Sequence, residues 1–181
     1  MDFEAVLAAL LDAFRKDDIE CALIGGFALG ALGVPRATGG LDFLLPGARS
    51  VDADRIMRQL GYDALYRSEN VANYAAREQC LGSVDFVFAW RPYSQGMLAR
   101  ATPHRVLGTA TVKVVQAEDL IGLKIQSSSN DPERLLLDLA DIDRLIAAAG
   151  PALDVDRVRE YFRLFDREAE LDAILARHRS R

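Results

Sequence analysis

The stretch from residue 22 to residue 45 constrains the fold more than any other part of the chain. An apolar run ends at Gly25-Gly26, a short helical pattern follows, and a loop of Gly, Pro, Arg and Thr residues leads into a second apolar run. Asp42 is the one charged residue of this second run. Strand, glycine turn, helix, loop and acid-bearing strand is an order of elements that suits a phosphate-binding turn beside a metal site.

The hydrophobic patterns of the remaining chain predict a mixture of helices and strands. Apolar residues at helical spacing predict an amphipathic helix over residues 2–16, and a run of β-branched and aromatic residues predicts a strand over residues 83–90. From residue 117 onward the patterns are helical. The sequence therefore predicts an α/β (α+β) domain over residues 1–150, with a C-terminal helical extension over residues 151–181 packed on it.

Composition narrows the classes of function. The 181 residues carry a formal net charge of −5, which argues against a basic protein that coats nucleic acid. No apolar stretch is long enough for a transmembrane helix, and the acidic, amphipathic N-terminus is unlike a secretory signal. We therefore expect no membrane association and a cytoplasmic location. Cys21 and Cys80 are expected to be reduced core thiols, with a disulfide as the alternative.

Asp42 and Asp85 are the candidate metal ligands. Each stands between two apolar residues of a predicted strand, so its side chain points away from those of its neighbours. A buried carboxylate is costly unless it is paired or bound to a metal. Two acids on one face of neighbouring strands would form a Mg²⁺ site. The alternative is that each acid is half-exposed at a strand end or forms a salt bridge with a nearby arginine.

The glycine turn and the loop after it are the candidate phosphate site. Gly25 and Gly26 follow a strand and open a helix, where the backbone can approach a phosphate closely, although a tight packing turn is the commoner reason for two glycines. Arg36 can grip a phosphate through two parallel hydrogen bonds. Thr38 either joins it or orders the loop.

A second group of charged residues lies on the predicted C-terminal helices. Lys124 stands inside an apolar stretch, where a lysine either extends to the surface or reaches into a cleft. Asp138 and Asp141 are three residues apart and share one face of a helix. A solvated face with ion pairs is the simplest interpretation of these two acids.

Taken in order, these residues resemble the motifs of the minimal nucleotidyltransferases of the DNA polymerase beta-like superfamily, including the toxin-like members of toxin–antitoxin pairs. That family carries a Gly-Gly turn, the motif Arg-x-Thr-x-Asp-hydrophobic-Asp, a third acid on a later strand, and a lysine-bearing helix leading to Arg and Asp-x-x-Asp. The resemblance spans residues 18–148. The matching residues are Gly25, Gly26, Arg36, Thr38, Asp42, Asp85, Lys124, Arg134, Asp138 and Asp141.

The resemblance implies a fold and a set of roles. The fold would be a mixed central sheet flanked by helices. Asp42 and Asp85 would be catalytic and hold Mg²⁺, and Gly25 and Gly26 would contact the triphosphate. Lys124 would lie near the nucleotide or among the groups that support the site. The activity implied is transfer of a nucleoside monophosphate from an NTP to a hydroxyl of an RNA, a protein or a small molecule.

One position departs from the family motif. Gly40 stands where the first acid of the pair on the second strand is expected, and this acid helps to bind both metals in the family. Another acid, such as Asp63 or Glu78, would have to substitute for it from a neighbouring strand. The departure leaves a second hypothesis, a catalytically degenerate module that binds a nucleotide or a partner. A third is the toxin half of a two-gene pair that modifies tRNA and binds an antitoxin. The C-terminal helices carry an apolar stripe of Val158, Tyr161, Phe162 and Phe165, which either packs on its own domain or forms a homodimer contact.

Overall fold

The computed structural model describes residues 2–77, 82–108 and 110–179. The chain divides into two compact units. The first, called here the sheet unit, comprises Met1–Ala31 and Pro35–Val115, and the second, the helical unit, comprises Leu32–Val34 and Gln116–Arg181. The predicted division at residue 150 stays a prediction.

The sheet unit is built on one mixed sheet. Its strands have the order β3-β4-β5-β2-β1-β7-β6, and β2–β5 and β1–β7 are the parallel pairs. The described strands are β1 (Ala22–Ile24), β2 (Gly40–Pro46), β3 (Tyr62–Arg67), β4 (Val71–Ala76), β5 (Ser83–Ala89), β6 (Thr102–Val106) and β7 (Ala110–Val114). The helices of this unit are α1 (Phe3–Lys16), α2 (Gly25–Ala31), α3 (Ser50–Gln59) and α4 (Pro92–Arg100), with a 3-10 turn at Gly47–Arg49.

Aromatic packing against α1 shows which face of the sheet forms the hydrophobic core. The ring of Phe14 lies 5.9 Å from the rings of both Phe43 on β2 and Phe86 on β5, measured between centroids. All three rings are buried. Because side chains alternate along a strand, the same geometry places Asp42 and Asp85 on the opposite face. That face is only half-buried at the two acids.

The helical unit contains α5 (Ala117–Asn130), α6 (Leu135–Ala149), α7 (Val155–Arg163) and α8 (Glu168–Arg179), with 3-10 turns at Pro132–Arg134 and Gly150–Ala152. Helix α7 packs closely on α5. A Cβ on Gly122 would lie 2.7 Å from Cγ of Tyr161, so only glycine lets the ring approach. The Tyr161 hydroxyl donates a buried hydrogen bond of 2.7 Å to Oδ1 of Asp119. Three residues of the apolar stripe, Val158, Tyr161 and Phe162, are buried.

These findings confirm the predicted fold class, a mixed sheet flanked by helices with helices at the C-terminal end of the chain. Within the described residues, no helix combines the length and apolar character needed to cross a membrane. Cys21 is a free, half-buried thiol, and burial raises its pKa to about 12. Cys80 lies outside the described residues.

Candidate functional site

The two predicted metal ligands lie side by side. Strands β2 and β5 pair in parallel with Asp42 opposite Asp85, so both carboxylates project from the same face of the sheet. Neighbouring strands are about 4.8 Å apart, a spacing at which two carboxylates can share one cation. Each acid is the third residue of a seven-residue strand, so neither lies at a strand end. Half-exposure of the pair leaves it open to a ligand from solvent.

The glycine turn packs directly against this acid. Gly25 has a φ of +63°, and a Cβ built on it would overlap the carboxylate of Asp42 and lie 2.8 Å from its Cβ. A Cβ on Gly26 would lie 2.5 Å from Cβ of Thr38. Thr38 in turn donates a hydrogen bond of 3.2 Å to the carbonyl of Gly40, which fixes the start of β2. The two glycines therefore serve a packing purpose: they let the backbone approach the side chains of the motif.

Arg36 lies in the loop between α2 and β2. Its Nη1 donates a long hydrogen bond of 3.5 Å to the carbonyl of Ala37, the next residue. The side chain is half-buried. The assignment of Arg36 to phosphate binding stays a prediction, as do those of Gly25, Gly26 and Thr38.

The position of the missing acid is sterically closed. Gly40 pairs with Ser83 in the β2–β5 ladder. A Cβ on Gly40 would overlap Oγ of Ser83 and lie 2.9 Å from the Ser83 carbonyl oxygen. Ser83 on the neighbouring strand therefore occupies the space that the Cβ of any other residue would need. An aspartate at position 40 requires the two strands to shift.

Asp63, one of the two substitutes considered for that acid, is engaged elsewhere. Asp63 lies on β3, and its carboxylate accepts two hydrogen bonds from the Arg77 guanidinium, at 2.9 and 2.7 Å. Those hydrogen bonds hold the pKa of Asp63 below its usual value. Glu78 lies outside the described residues. Within residues 2–77, 82–108 and 110–179, no group of three or more His, Cys, Asp or Glu residues is placed to hold a metal ion.

Lys124 belongs to a buried ion cluster of the helical unit. Its Nζ donates to Oδ1 of Asp138 at 3.0 Å and to Oδ2 of Asp141 at 2.6 Å, and Arg134 completes the cluster by donating from Nε to Asp138 at 3.2 Å. Lys124 is 5% exposed and both acids are fully buried. The interpretation of the two acids as a solvated face is therefore wrong, because they lie under α5 where Lys124 meets them.

The electrostatics of this cluster favour a structural role. Burial raises the pKa of Asp138, but the charge of Lys124 and its hydrogen bonds with Lys124 and Arg134 outweigh that effect, and the net pKa lies below the usual value. A lysine held by two carboxylates has little freedom to reach a nucleotide. The assignment of Lys124 to nucleotide binding stays a prediction.

Sequence reasoning missed one side chain beside the acid pair. Asn73 lies opposite Asp85 in the antiparallel β4–β5 ladder, and its Nδ2 donates a hydrogen bond of 2.8 Å to Oδ1 of Asp85. Asn73, Asp85 and Asp42 thus form one row across three adjacent strands. No local pattern singles out this asparagine, because the pairing that gives it meaning is non-local.

Part of the chain is similar to a known protein family. Residues 93–180, just under half of the chain, match a family described as "Nucleotidyl transferase of unknown function (DUF2204)". This match covers α4 to α8 and includes the Lys124 cluster. A comparison with curated proteins found no match.

Solved structures resemble the chain over most of its length. The solution structure of the antibiotic-resistance factor ANT(2'')-Ia matches with a TM-score of 0.67 and 17% identity, covering 100% of both chains. The lincomycin-bound lincosamide antibiotic adenylyltransferase LnuA matches with a TM-score of 0.52 and 15% identity, covering 78% of this chain and 95% of that one. An antigenic nucleotidyltransferase-like protein from Paracoccidioides brasiliensis matches with a TM-score of 0.55 and 22% identity, covering 97% and 93%. Likeness at these identities shows the fold alone: the chain has the nucleotidyltransferase-like fold.

Proposed function

We propose that this protein binds a nucleoside triphosphate with Mg²⁺ and transfers its nucleoside monophosphate to a hydroxyl of a small molecule. The observation that carries the proposal is the alignment of Asp42 with Asp85 on the half-buried face of the sheet, beside Gly25. A purely structural sheet would have little reason to place two carboxylates in one ladder row, since like charges opposite each other destabilise a sheet.

The donor set suits one Mg²⁺ ion that arrives with the nucleotide. Mg²⁺ is commonly bound through one or two carboxylates together with substrate phosphates, and Asp42 and Asp85 provide that number. When bound, the ion would neutralise charge that develops on the phosphates during transfer. A two-metal arrangement calls for further carboxylate support, and the described residues bring no third acid to the pair.

The reaction would proceed by displacement at the α-phosphorus. The acceptor hydroxyl oxygen forms a bond to that phosphorus, the bond between the α-phosphorus and the bridging oxygen breaks, and pyrophosphate leaves. The carboxylate pair would accept the proton of the attacking hydroxyl. Gly25 and Gly26, with Arg36 and Thr38, would hold the triphosphate on the loop side of the pair.

A small molecule is the acceptor that the observations favour. Two structures that share the fold are described as an antibiotic-resistance factor and a lincosamide antibiotic adenylyltransferase, and a further structure of the former holds adenylyl-2''-tobramycin. The net charge of −5 disfavours a polyanionic RNA acceptor and suits a neutral or cationic molecule. RNA and protein acceptors, an antitoxin partner, a homodimer and a cytoplasmic location stay predictions.

Incubation with NTPs labelled at the α-phosphate tests the proposal. We expect Mg²⁺-dependent labelling of a hydroxylated small molecule from a panel that includes tobramycin and lincomycin. The doubly substituted variant Asp42→Ala/Asp85→Ala should abolish it. Asp63→Ala, which removes an exposed acid paired with Arg77 on the same sheet, is the matched control and should retain it. Labelling that survives the double substitution would overturn the assignment.

The degenerate binding module is the second candidate, and Gly40 is the observation that favours it. Without the acid of the family motif at this position, the site holds less charge to activate an attacking hydroxyl. Nucleotide binding with no labelled product from any acceptor in the panel would select this candidate. Introducing the acid by Gly40→Asp is a poor test of it, because Ser83 occupies the space that the new side chain needs.

A further inference from the structure

Asn73 interacts with one of the two acids through a well-formed hydrogen bond. The donor is the Asn73 amide Nδ2, the acceptor is Oδ1 of Asp85, and the distance is 2.8 Å. Both side chains are half-buried, so the bond is partly shielded from water. An amide nitrogen can only donate, so it fixes the orientation of the carboxylate that accepts from it.

The register makes Asn73 a neighbour of the site. Asp85 lies between Asn73 on β4 and Asp42 on β2, and all three side chains project from one face. A donor on the far side of Asp85 from Asp42 holds the carboxylate in the row, where it can meet a cation between the two acids. Ligating carboxylates are commonly held by hydrogen bonds of this kind, and the loss of such a partner typically weakens metal binding by about 10- to 100-fold.

We propose that Asn73 is a positioning residue, which orients the Asp85 carboxylate for binding the cation of an incoming metal–nucleotide complex. This inference rests on the proposed function, and it adds a residue that the family motifs do not mark. Asn73 is also neutral, so it supplies a hydrogen bond without adding a third negative charge to a row that already holds two.

A merely structural role for Asn73 makes a different prediction. A cross-strand polar pair contributes modestly to the stability of a sheet. Loss of such a pair would lower the melting temperature and leave the affinity of the folded protein for a cation unchanged. Cation affinity measured on folded protein therefore separates the two roles, independently of any turnover.

The experiment is a titration of Mn²⁺ into the full chain with a non-hydrolysable ATP analogue, followed by calorimetry. We expect Asn73→Ala to weaken Mn²⁺ binding by about 10-fold while the protein remains folded. Asn73→Leu keeps the approximate size of the side chain but removes the donor, so it should weaken Mn²⁺ binding to a similar extent.

Asn70→Ala is the matched control, since Asn70 is an exposed asparagine just before β4 and should bind Mn²⁺ as the wild type does. Wild-type Mn²⁺ affinity in both folded Asn73 variants would overturn the inference alone. Failure of the wild type to bind Mn²⁺ more tightly than Asp42→Asn/Asp85→Asn would overturn the proposed function together with it.

Discussion

Gly25→Ala is expected to destabilise the sheet unit by on the order of 3 kcal/mol and to displace the Asp42 carboxylate. Two costs combine. A non-glycine residue at a φ of +63° is strained by about 1–3 kcal/mol, and forcing a methyl group into occupied space costs a further 1–3 kcal/mol or so. The occupied space is the Asp42 side chain itself, so the substitution moves the group on which the proposed chemistry depends.

Gly30→Ala provides the matched control within the same helix. A Cβ at Gly30 meets nothing within 4 Å, and the residue is exposed. Alanine favours a helix over glycine by up to about 1 kcal/mol, so this variant should be as stable as the wild type or more so. Denaturant unfolding of both variants measures the difference. Equal stability of Gly25→Ala and the wild type would refute the close approach of the turn to Asp42.

Lys124→Met is the second change with a large expected effect. It removes the cation from two fully buried carboxylates, Asp138 and Asp141, which are then left facing each other with Arg134 as the remaining cation. Removing one partner of a buried ion pair typically costs about 3–5 kcal/mol. We therefore expect the melting temperature to fall sharply and the helical unit to lose its cooperative unfolding.

Lys113→Met separates this effect from the general loss of a lysine. Lys113 forms an ion pair of 2.6 Å with Glu20, but the two side chains are 43% and 46% exposed. Such surface pairs contribute about 0–1 kcal/mol. A loss of less than about 1 kcal/mol in Lys124→Met, equal to that in Lys113→Met, would show that the buried cluster does not stabilise the helices.

Much of the fold could be predicted because its elements have local signals. Apolar residues at helical spacing indicated the first helix, found at Phe3–Lys16, and β-branched and aromatic residues indicated the strand found at Ser83–Ala89. The strand found at Val71–Ala76 has a weaker local signal. Alanine and asparagine fill much of that segment, and their weak strand propensity hides where it begins.

The candidate site was partly predictable, and the missing parts depend on non-local pairing. Alternation along each strand predicted that Asp42 and Asp85 point away from their apolar neighbours, and the register places the two acids side by side. No pattern along the chain could show that Asn73 on β4 pairs with Asp85 on β5. In the same way, the spacing of Asp138 could not reveal its buried partner Lys124, 14 residues earlier on another helix.

The two glycines of the turn were interpreted from the sequence as a phosphate site, and the structure shows that they also allow close packing. Helix α2, which begins at this turn, has seven residues. The two glycines are needed because the backbone passes close to two side chains, Gly25 to Asp42 and Gly26 to Thr38. The turn, the loop and the acid-bearing strand therefore depend on one another sterically. A packing turn and a ligand-binding turn are compatible interpretations of the same two glycines.

Binding of a non-hydrolysable NTP, measured by calorimetry with Mg²⁺ and again with excess chelator, tests the central claim most directly. The account predicts that the wild type binds the nucleotide with Mg²⁺ and loses most of that affinity when the cation is removed. Asp42→Asn, which keeps the size of the side chain and removes its charge, should bind weakly under both conditions. Nucleotide binding of equal strength in the wild type and in Asp42→Asn, unaffected by the chelator, would contradict a cation site at the paired acids.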